Sequence, residues 1–292
     1  MQGVQELHLQ RHGKRYTSYE MGQGPVALCL HGFPDSPHTF KKMLPCLANA
    51  GYRAVAVTLR GYESSSIDAA SDYSLAALSD DIDGWLDLLR VEQAALIGHD
   101  WGANVAYAAA ARFPNRIRKL VTLAVPHPAA FGSNLLGDFD QMRRSWYIFL
   151  FQMRGVAELV ASQEHAALLK RLWRDWSPGW EDQEELARLP EIFSQPGVLE
   201  AALGYYRIAF EAGHPRAAES QAILSLPIQA PTLGLCGSDD GCISAQLFEN
   251  SMPPALFSGG VRTVRIERAG HFLHLEQAEL VHGHILAHLG QA

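Results

Sequence analysis

Gly98-His99-Asp100-Trp101-Gly102 sets an aspartate between two glycines. The motif follows an apolar stretch, Gln93–Gly98 (QAALIG), and precedes an alanine-rich one, Gly102–Phe113, that stops at Pro114. A sharp turn from strand into helix presents its central side chain at the tip of a sheet, and the flanking glycines leave room for the turn. Serine is the usual occupant of such an elbow, and aspartate changes the chemistry. A carboxylate needs no base to activate it and can attack a saturated carbon by displacement. The product is an alkyl ester on the enzyme, which water must then cleave. The pattern therefore calls for a general base and for donors that hold an oxyanion. The backbone N–H of Trp101, just after the aspartate, is one such donor, and its indole can line the cavity. His99 reads as a structural residue of the elbow.

The base and its partner follow from chain order, which in this arrangement runs nucleophile, acid, histidine. His271 lies in Ala269-Gly270-His271-Phe272, just after the last apolar strand. Its task is to take a proton from the water that attacks the ester. An acid that orients the imidazole is expected after the strand Thr232–Cys236, in Gly237-Ser238-Asp239-Asp240-Gly241. Spacing alone does not separate Asp239 from Asp240. A second oxyanion donor is expected from the N–H of Phe33 in His31-Gly32-Phe33-Pro34, with His31 a structural hydrogen-bonding residue. His127 reads as a loop residue, and His274, His282, His284 and His288 as surface or packing residues on or beside a C-terminal helix.

These groups need a scaffold, and hydrophobic periodicity supplies one. His8–Gln10 and Lys14–Glu20 alternate as an antiparallel entry hairpin. Val26–Leu30, Ala54–Thr58, Gln93–Gly98, Leu120–Val125, Thr232–Cys236 and Val261–Ile266 read as buried strands. Helices are expected over Ser36–Asn49, from the cap Ser74 to Leu89, over Gly102–Phe113, and around Leu275–Leu289. Strand–helix alternation implies a mostly parallel sheet covered on both faces. The rhythm breaks over residues 129–223, which are helical in character and rich in Trp and Tyr. The organisation is thus a first core segment (1–128), a helical cap or lid (129–223) and a second core segment (224–292). A cap so placed closes over the carboxyl ends of the strands, where open α/β sheets bind ligands.

With 48% hydrophobic and 19% charged residues, the 292-residue chain can bury a large core. A formal charge of −7 argues against nucleic acid as a partner. There is no apolar stretch long enough for a membrane span, and no apolar leader in MQGVQELHLQRHGKRY. Cys29, Cys46, Cys236 and Cys242 form no CxxC pair. The expectation is reduced cysteines in a cytoplasmic enzyme.

HGFPDS (31–36), GHDWGA (98–103), GSDDG (237–241) and AGHF (269–272) together resemble the epoxide hydrolases of the α/β-hydrolase superfamily, near the soluble epoxide hydrolase branch. The likeness runs over nearly the whole chain. It implies the α/β-hydrolase fold with an inserted cap, and the family's G-x-x-D pattern favours Asp240 as the acid. Ser145–Gln152 (SWYIFLFQ) resembles the stretch carrying a first lid tyrosine, at Tyr147, and Tyr205-Tyr206-Arg207 a second, at Tyr206. In that family two phenols donate to the epoxide oxygen as the ring opens. The implied reaction turns an apolar epoxide into a vicinal diol, with Phe33, Trp101, Tyr147 and Tyr206 around the substrate and no metal or organic cofactor.

The dehalogenases that share the aspartate nucleophile are the nearest rival. They usually carry Asn where this chain has Phe33, or Arg where it has Trp101. Another subgroup places its acid where Val125-Pro126-His127-Pro128 offers none. A non-catalytic ligand-binding homologue is the second rival, and the complete residue set speaks against it.

Overall fold

A computed structural model of the chain describes residues 3–290. Its centre is an eight-stranded sheet built from β1 (Gln5–Arg11), β2 (Lys14–Met21), β3 (Val26–Leu30), β4 (Arg53–Val57), β5 (Ala94–His99), β6 (Ile117–Leu123), β7 (Thr232–Gly237) and β8 (Val261–Ile266), in the order β1-β2-β4-β3-β5-β6-β7-β8. β1 and β2 form the antiparallel entry hairpin, β2 also pairs antiparallel with β4, and every other pairing is parallel. This is the α/β-hydrolase fold.

Every residue of β3 is buried, which explains its unbroken VALCL. Val26, Leu28 and Leu30 face one core cluster, and Ala27 and Cys29 the other. The first cluster packs beneath the helices Leu75–Leu88 and Trp101–Arg112, the second beneath Met43–Asn49 and Ala278–Gly290. Burying one such leucine contributes roughly 1.5–3 kcal/mol. Glycine and alanines make up most of the buried face of the Trp101–Arg112 helix, so it packs close to the sheet and the end of β5 can turn directly into it.

Parallel register sets the strand ends side by side. Leu30 pairs with Gly98, His99 with Leu123, and Leu123 with Leu235. The loops after β3, β5 and β7 therefore open at one edge of the sheet.

Two expected helices are interrupted. Residues 36–49 form a short 3-10 turn, Pro37–Phe40, and then the helix Met43–Asn49. A continuous helix would place Pro45 in its interior, where it removes an N–H and clashes with the preceding turn; restarting at Met43 puts Pro45 in a first turn, where that N–H is not needed. The C-terminal helix is likewise two pieces, Leu273–Glu276 and Ala278–Gly290. β6 begins three residues earlier than expected, at Ile117, because the exposed Arg118 and the buried Lys119 hide its apolar pattern.

Between β6 and β7 the described chain is helical, from Pro128–Leu135 through Trp146–Phe151, Ala167–Trp176 and Val198–Ile208 to Ala217–Leu224. The Trp173 indole N–H donates to the Pro34 carbonyl at 2.7 Å, and the Tyr205 phenol to the Arg60 carbonyl at 2.6 Å. Where this segment returns to the sheet, Arg112 bridges Asp80 (3.0 Å) and Glu219 (2.9 Å), and Arg216 also reaches Asp80 (2.9 Å). All four cysteines are free thiols, and no described helix is long and apolar enough to cross a membrane.

Candidate active site

Asp100 sits on the turn from β5 into the Trp101–Arg112 helix with φ 51° and ψ −119°. A non-glycine residue held there stores on the order of 1–3 kcal/mol of strain. The surroundings hold it firmly: its N–H donates to the Leu123 carbonyl (3.2 Å), and its carbonyl accepts from Ala103 (2.9 Å). A β-carbon on Gly98 would lie 2.4 Å from the Gly102 carbonyl oxygen, and one on Gly102 would lie 2.0 Å from that of Leu30. Larger residues at either position would push helix and strand apart. The Asp100 carboxylate points into the fold, where Oδ1 accepts from the Phe33 N–H at 2.7 Å. The N–H of Trp101 opens the helix and has no hydrogen-bond acceptor among the described residues.

His271 is fully buried, with Nδ1 3.0 Å from Asp240 Oδ2 and Nε2 3.4 Å from Asp100 Oδ2. Nδ1–H donating to Asp240 leaves Nε2 facing the Asp100 carboxylate, with no partner at hydrogen-bond geometry among the described residues. Burial works against a charged imidazole here. The Asp240 and Asp100 carboxylates outweigh it and hold the His271 pKa well above the ordinary histidine range. Asp240 is pinned in turn, Oδ1 accepting from the N–H groups of Cys242 (2.7 Å) and Ile243 (3.0 Å). Asp239 is exposed and takes only the Ser238 hydroxyl (3.1 Å), so the geometry separates the two acids that spacing left level. Asp240→Asn is accordingly expected to cut kcat by at least tenfold more than Asp239→Asn, since only Asp240 orients the imidazole. Steady-state assays on equally folded variants check the ranking.

Tyr147 projects from the helix Trp146–Phe151 and Tyr206 from Val198–Ile208, with ring centroids 5.8 Å apart and nearly perpendicular. Tyr206 also packs edge-to-face on Trp101 (5.0 Å) and Phe33 (5.4 Å), while Tyr147 lies against Trp176 (4.9 Å). Both phenols are buried, which raises their pKa well above the ordinary phenol range; the nearby Asp100 carboxylate adds to the effect. Burial thus favours the neutral, proton-donating form of both. The Tyr206 oxygen has no partner among the described residues.

Residues 25–278 match the family described as alpha/beta hydrolase fold. The chain is 30% identical to Epoxide hydrolase 2 of Caenorhabditis elegans over 91% of its own length and 74% of that protein. It is 31% identical to an epoxide hydrolase of Caballeronia sordidicola, over 94% and 90% of the two chains. The chain belongs to the epoxide hydrolase family. Among solved structures, Epoxide Hydrolase A of Mycobacterium thermoresistibile superposes with a TM-score of 0.80 at 26% identity, covering 98% of each chain.

Several groups that shape this family member's site escaped the sequence reading. The Trp176 carbonyl accepts from both Gly241 N–H and His271 N–H at 3.0 Å, tying the acid loop to the histidine loop. Arg144 donates to the Asp240 carbonyl (2.8 Å) and Gln141 to that of Cys242 (2.7 Å). Arg207, a marker of the second lid tyrosine in the sequence, donates to the Phe151 carbonyl (2.8 Å) and pairs with Glu158 (2.6 Å), joining the two tyrosine-bearing helices. His31 is structural: Nδ1–H donates to the Gly32 carbonyl (2.9 Å), and Nε2 accepts from Leu59 N–H (3.1 Å). Burial lowers its pKa to about 4, which keeps it neutral. His99 donates from Nε2 to the His271 carbonyl (3.0 Å). His127 lies in a loop, as expected, just before the helix Pro128–Leu135, and is buried against Tyr107 and Phe257.

Proposed function

We propose that this protein hydrolyses an apolar epoxide to a vicinal diol through a covalent alkyl ester on Asp100. The observation that carries the reading is the meeting of two kinds of buried group beside Asp100. A buried carboxylate is backed by His271 and Asp240, and two phenols are kept protonated by burial. In the first step Asp100 Oδ2 attacks an epoxide carbon. The C–O bond of the ring breaks, and the oxygen takes a proton from Tyr147 or Tyr206. Alkoxide is a poor leaving group, so a donor aimed at that oxygen lowers the barrier. Departing halide needs no such proton, and the paired phenols favour epoxide over halide chemistry.

In the second step water attacks the ester carbonyl. His271, having given its own proton to the phenolate left by ring opening, takes the water's proton at Nε2, and the N–H groups of Phe33 and Trp101 hold the oxyanion. The bond from the Asp100 carboxyl carbon to the diol oxygen then breaks, that oxygen takes the proton from His271, and the new Asp100 carboxyl group returns its proton to the imidazole. The Phe33 N–H already rests on Oδ1, the oxygen that becomes the oxyanion. A charge argument orders the steps. In the resting enzyme the Asp100 carboxylate helps to keep His271 protonated. Esterification removes that negative charge, the imidazole pKa falls, and His271 becomes a base only once there is an ester to hydrolyse. The aromatic side chains packed around Asp100 and the two phenols (Phe33, Trp101, Phe151 and Trp176) suit an apolar substrate. The cycle needs no metal or organic cofactor.

His271→Gln tests the scheme. It keeps a side chain of similar reach and removes the base, so the ester is expected to accumulate. Intact-protein mass spectrometry should then show one substrate equivalent added, mapping to the Asp100 peptide. Absence of any adduct, with substrate consumption proven in the wild type, would remove His271 from water activation.

A further inference from the structure

The two phenols are not equivalent. Among the described residues the Tyr206 oxygen has no partner at hydrogen-bond geometry, whereas the Tyr147 oxygen lies 3.2 Å from the sulfur of Cys242. Cys242 is the only one of the four cysteines in contact with the proposed machinery, and it is held there on both sides. Its N–H donates to Asp240 Oδ1 (2.7 Å), and its carbonyl accepts from Gln141 Nε2 (2.7 Å). The carboxylate that backs His271 therefore also fixes the residue that touches the phenol.

From this placement we infer that Cys242 is a positioning residue for Tyr147, an O···S hydrogen bond that sets the direction of the phenol's proton. The inference rests on the proposed epoxide opening. Packing against Trp176 and Phe151 fixes the Tyr147 ring, which leaves the hydroxyl rotor as its main freedom. In the empty site the phenol O–H can donate to sulfur. A thiol is a weak acceptor, so the proton is released to an arriving epoxide oxygen at small cost. The thiol can then turn and donate its own proton to the phenol oxygen as that oxygen gains negative charge. Burial raises the thiol's pKa, so it keeps the proton this requires. No bond to sulfur forms or breaks.

A double-mutant cycle separates positioning from simple packing. Ester formation is measured in single turnover for Cys242→Ala, Tyr147→Phe and the double variant. Cys242→Ala is expected to slow the step about three- to tenfold when Tyr147 is present, the effect of one weak hydrogen bond. In the Tyr147→Phe background the same change should have no effect, since no hydroxyl remains to be positioned. Cys242→Ser, which can accept and donate, should restore most of the rate. Cys242→Val, which keeps the volume without either capacity, should behave like Ala and serves if the Ala variant is unstable. Equal losses in both backgrounds, or no loss when Tyr147 is present, overturn the inference and leave Cys242 as a wall residue. If Tyr147→Phe itself leaves ester formation unchanged, the phenol's catalytic role fails instead, which is a distinct outcome.

Discussion

Asp100→Ala is expected to lower epoxide turnover on the order of 10⁶-fold, the scale seen when a hydrolase loses its nucleophile outright. No other carboxylate stands on the elbow, and the partners that remain lack a target. His271 Nε2 would face an empty space, and the Phe33 N–H would lose its acceptor. The loss should be chemical rather than structural. The elbow's backbone is held by the Leu123 and Ala103 hydrogen bonds and by the close fit of Gly98 and Gly102, none of which involves the carboxylate. Circular dichroism and a melting curve close to wild type, with turnover at background, are the expected pair of results. A folded variant with substantial activity would remove Asp100 from the mechanism.

The double change Tyr147→Phe with Tyr206→Phe carries the next largest effect. Loss of one preorganised donor to a developing oxyanion typically costs about 10²–10³ in rate. With two phenols facing one oxygen, either can cover in part for the other. Each single change is therefore expected to cost on the order of tenfold, and the pair more than 10²-fold, because both proposed donors are then gone. Phenylalanine keeps ring volume, so the packing of Tyr206 on Trp101 and Phe33 should survive. The loss belongs to ester formation and leaves hydrolysis of a preformed ester unaltered. Single-turnover kinetics resolve the two steps. Near-wild-type ring opening by the double variant would reduce both tyrosines to packing residues.

Much of this architecture could be read from the chain, and for identifiable reasons. Buried parallel strands write themselves as short apolar runs, so β3, β4, β5 and β7 are legible within a residue or so, and the alternating VRTVRI marks the mostly uncovered edge strand β8. The elbow is legible because steric limits at Gly98 and Gly102 force residue types, not merely polarity. Spacing leaves the acid ambiguous, because Asp239 and Asp240 are adjacent and alike, and in the sequence only the family's G-x-x-D pattern favours Asp240. Only the three-dimensional path of the loop sends one carboxylate inward and leaves the other in water. β6 was misplaced because its first turnward residues include charged side chains. The Trp176 carbonyl, which joins the two catalytic loops, had no sequence signal at all, since every residue has a carbonyl. Cys242 was read as one reduced cysteine among four; its contact with Tyr147 depends on two segments nearly a hundred residues apart, and no local pattern records it.

The central claim is that an oxygen of Asp100, not of water, enters the diol in the first turnover. A single-turnover reaction with enzyme in excess, run in water enriched in heavy oxygen, tests this directly. The account predicts an unlabelled diol from that turnover and heavy oxygen in the proteolytic peptide containing Asp100, because water attacks the ester carbonyl and leaves its oxygen on the carboxylate. Heavy oxygen in the diol, with an unlabelled Asp100 peptide, would mean that water opens the epoxide directly and would contradict the covalent mechanism.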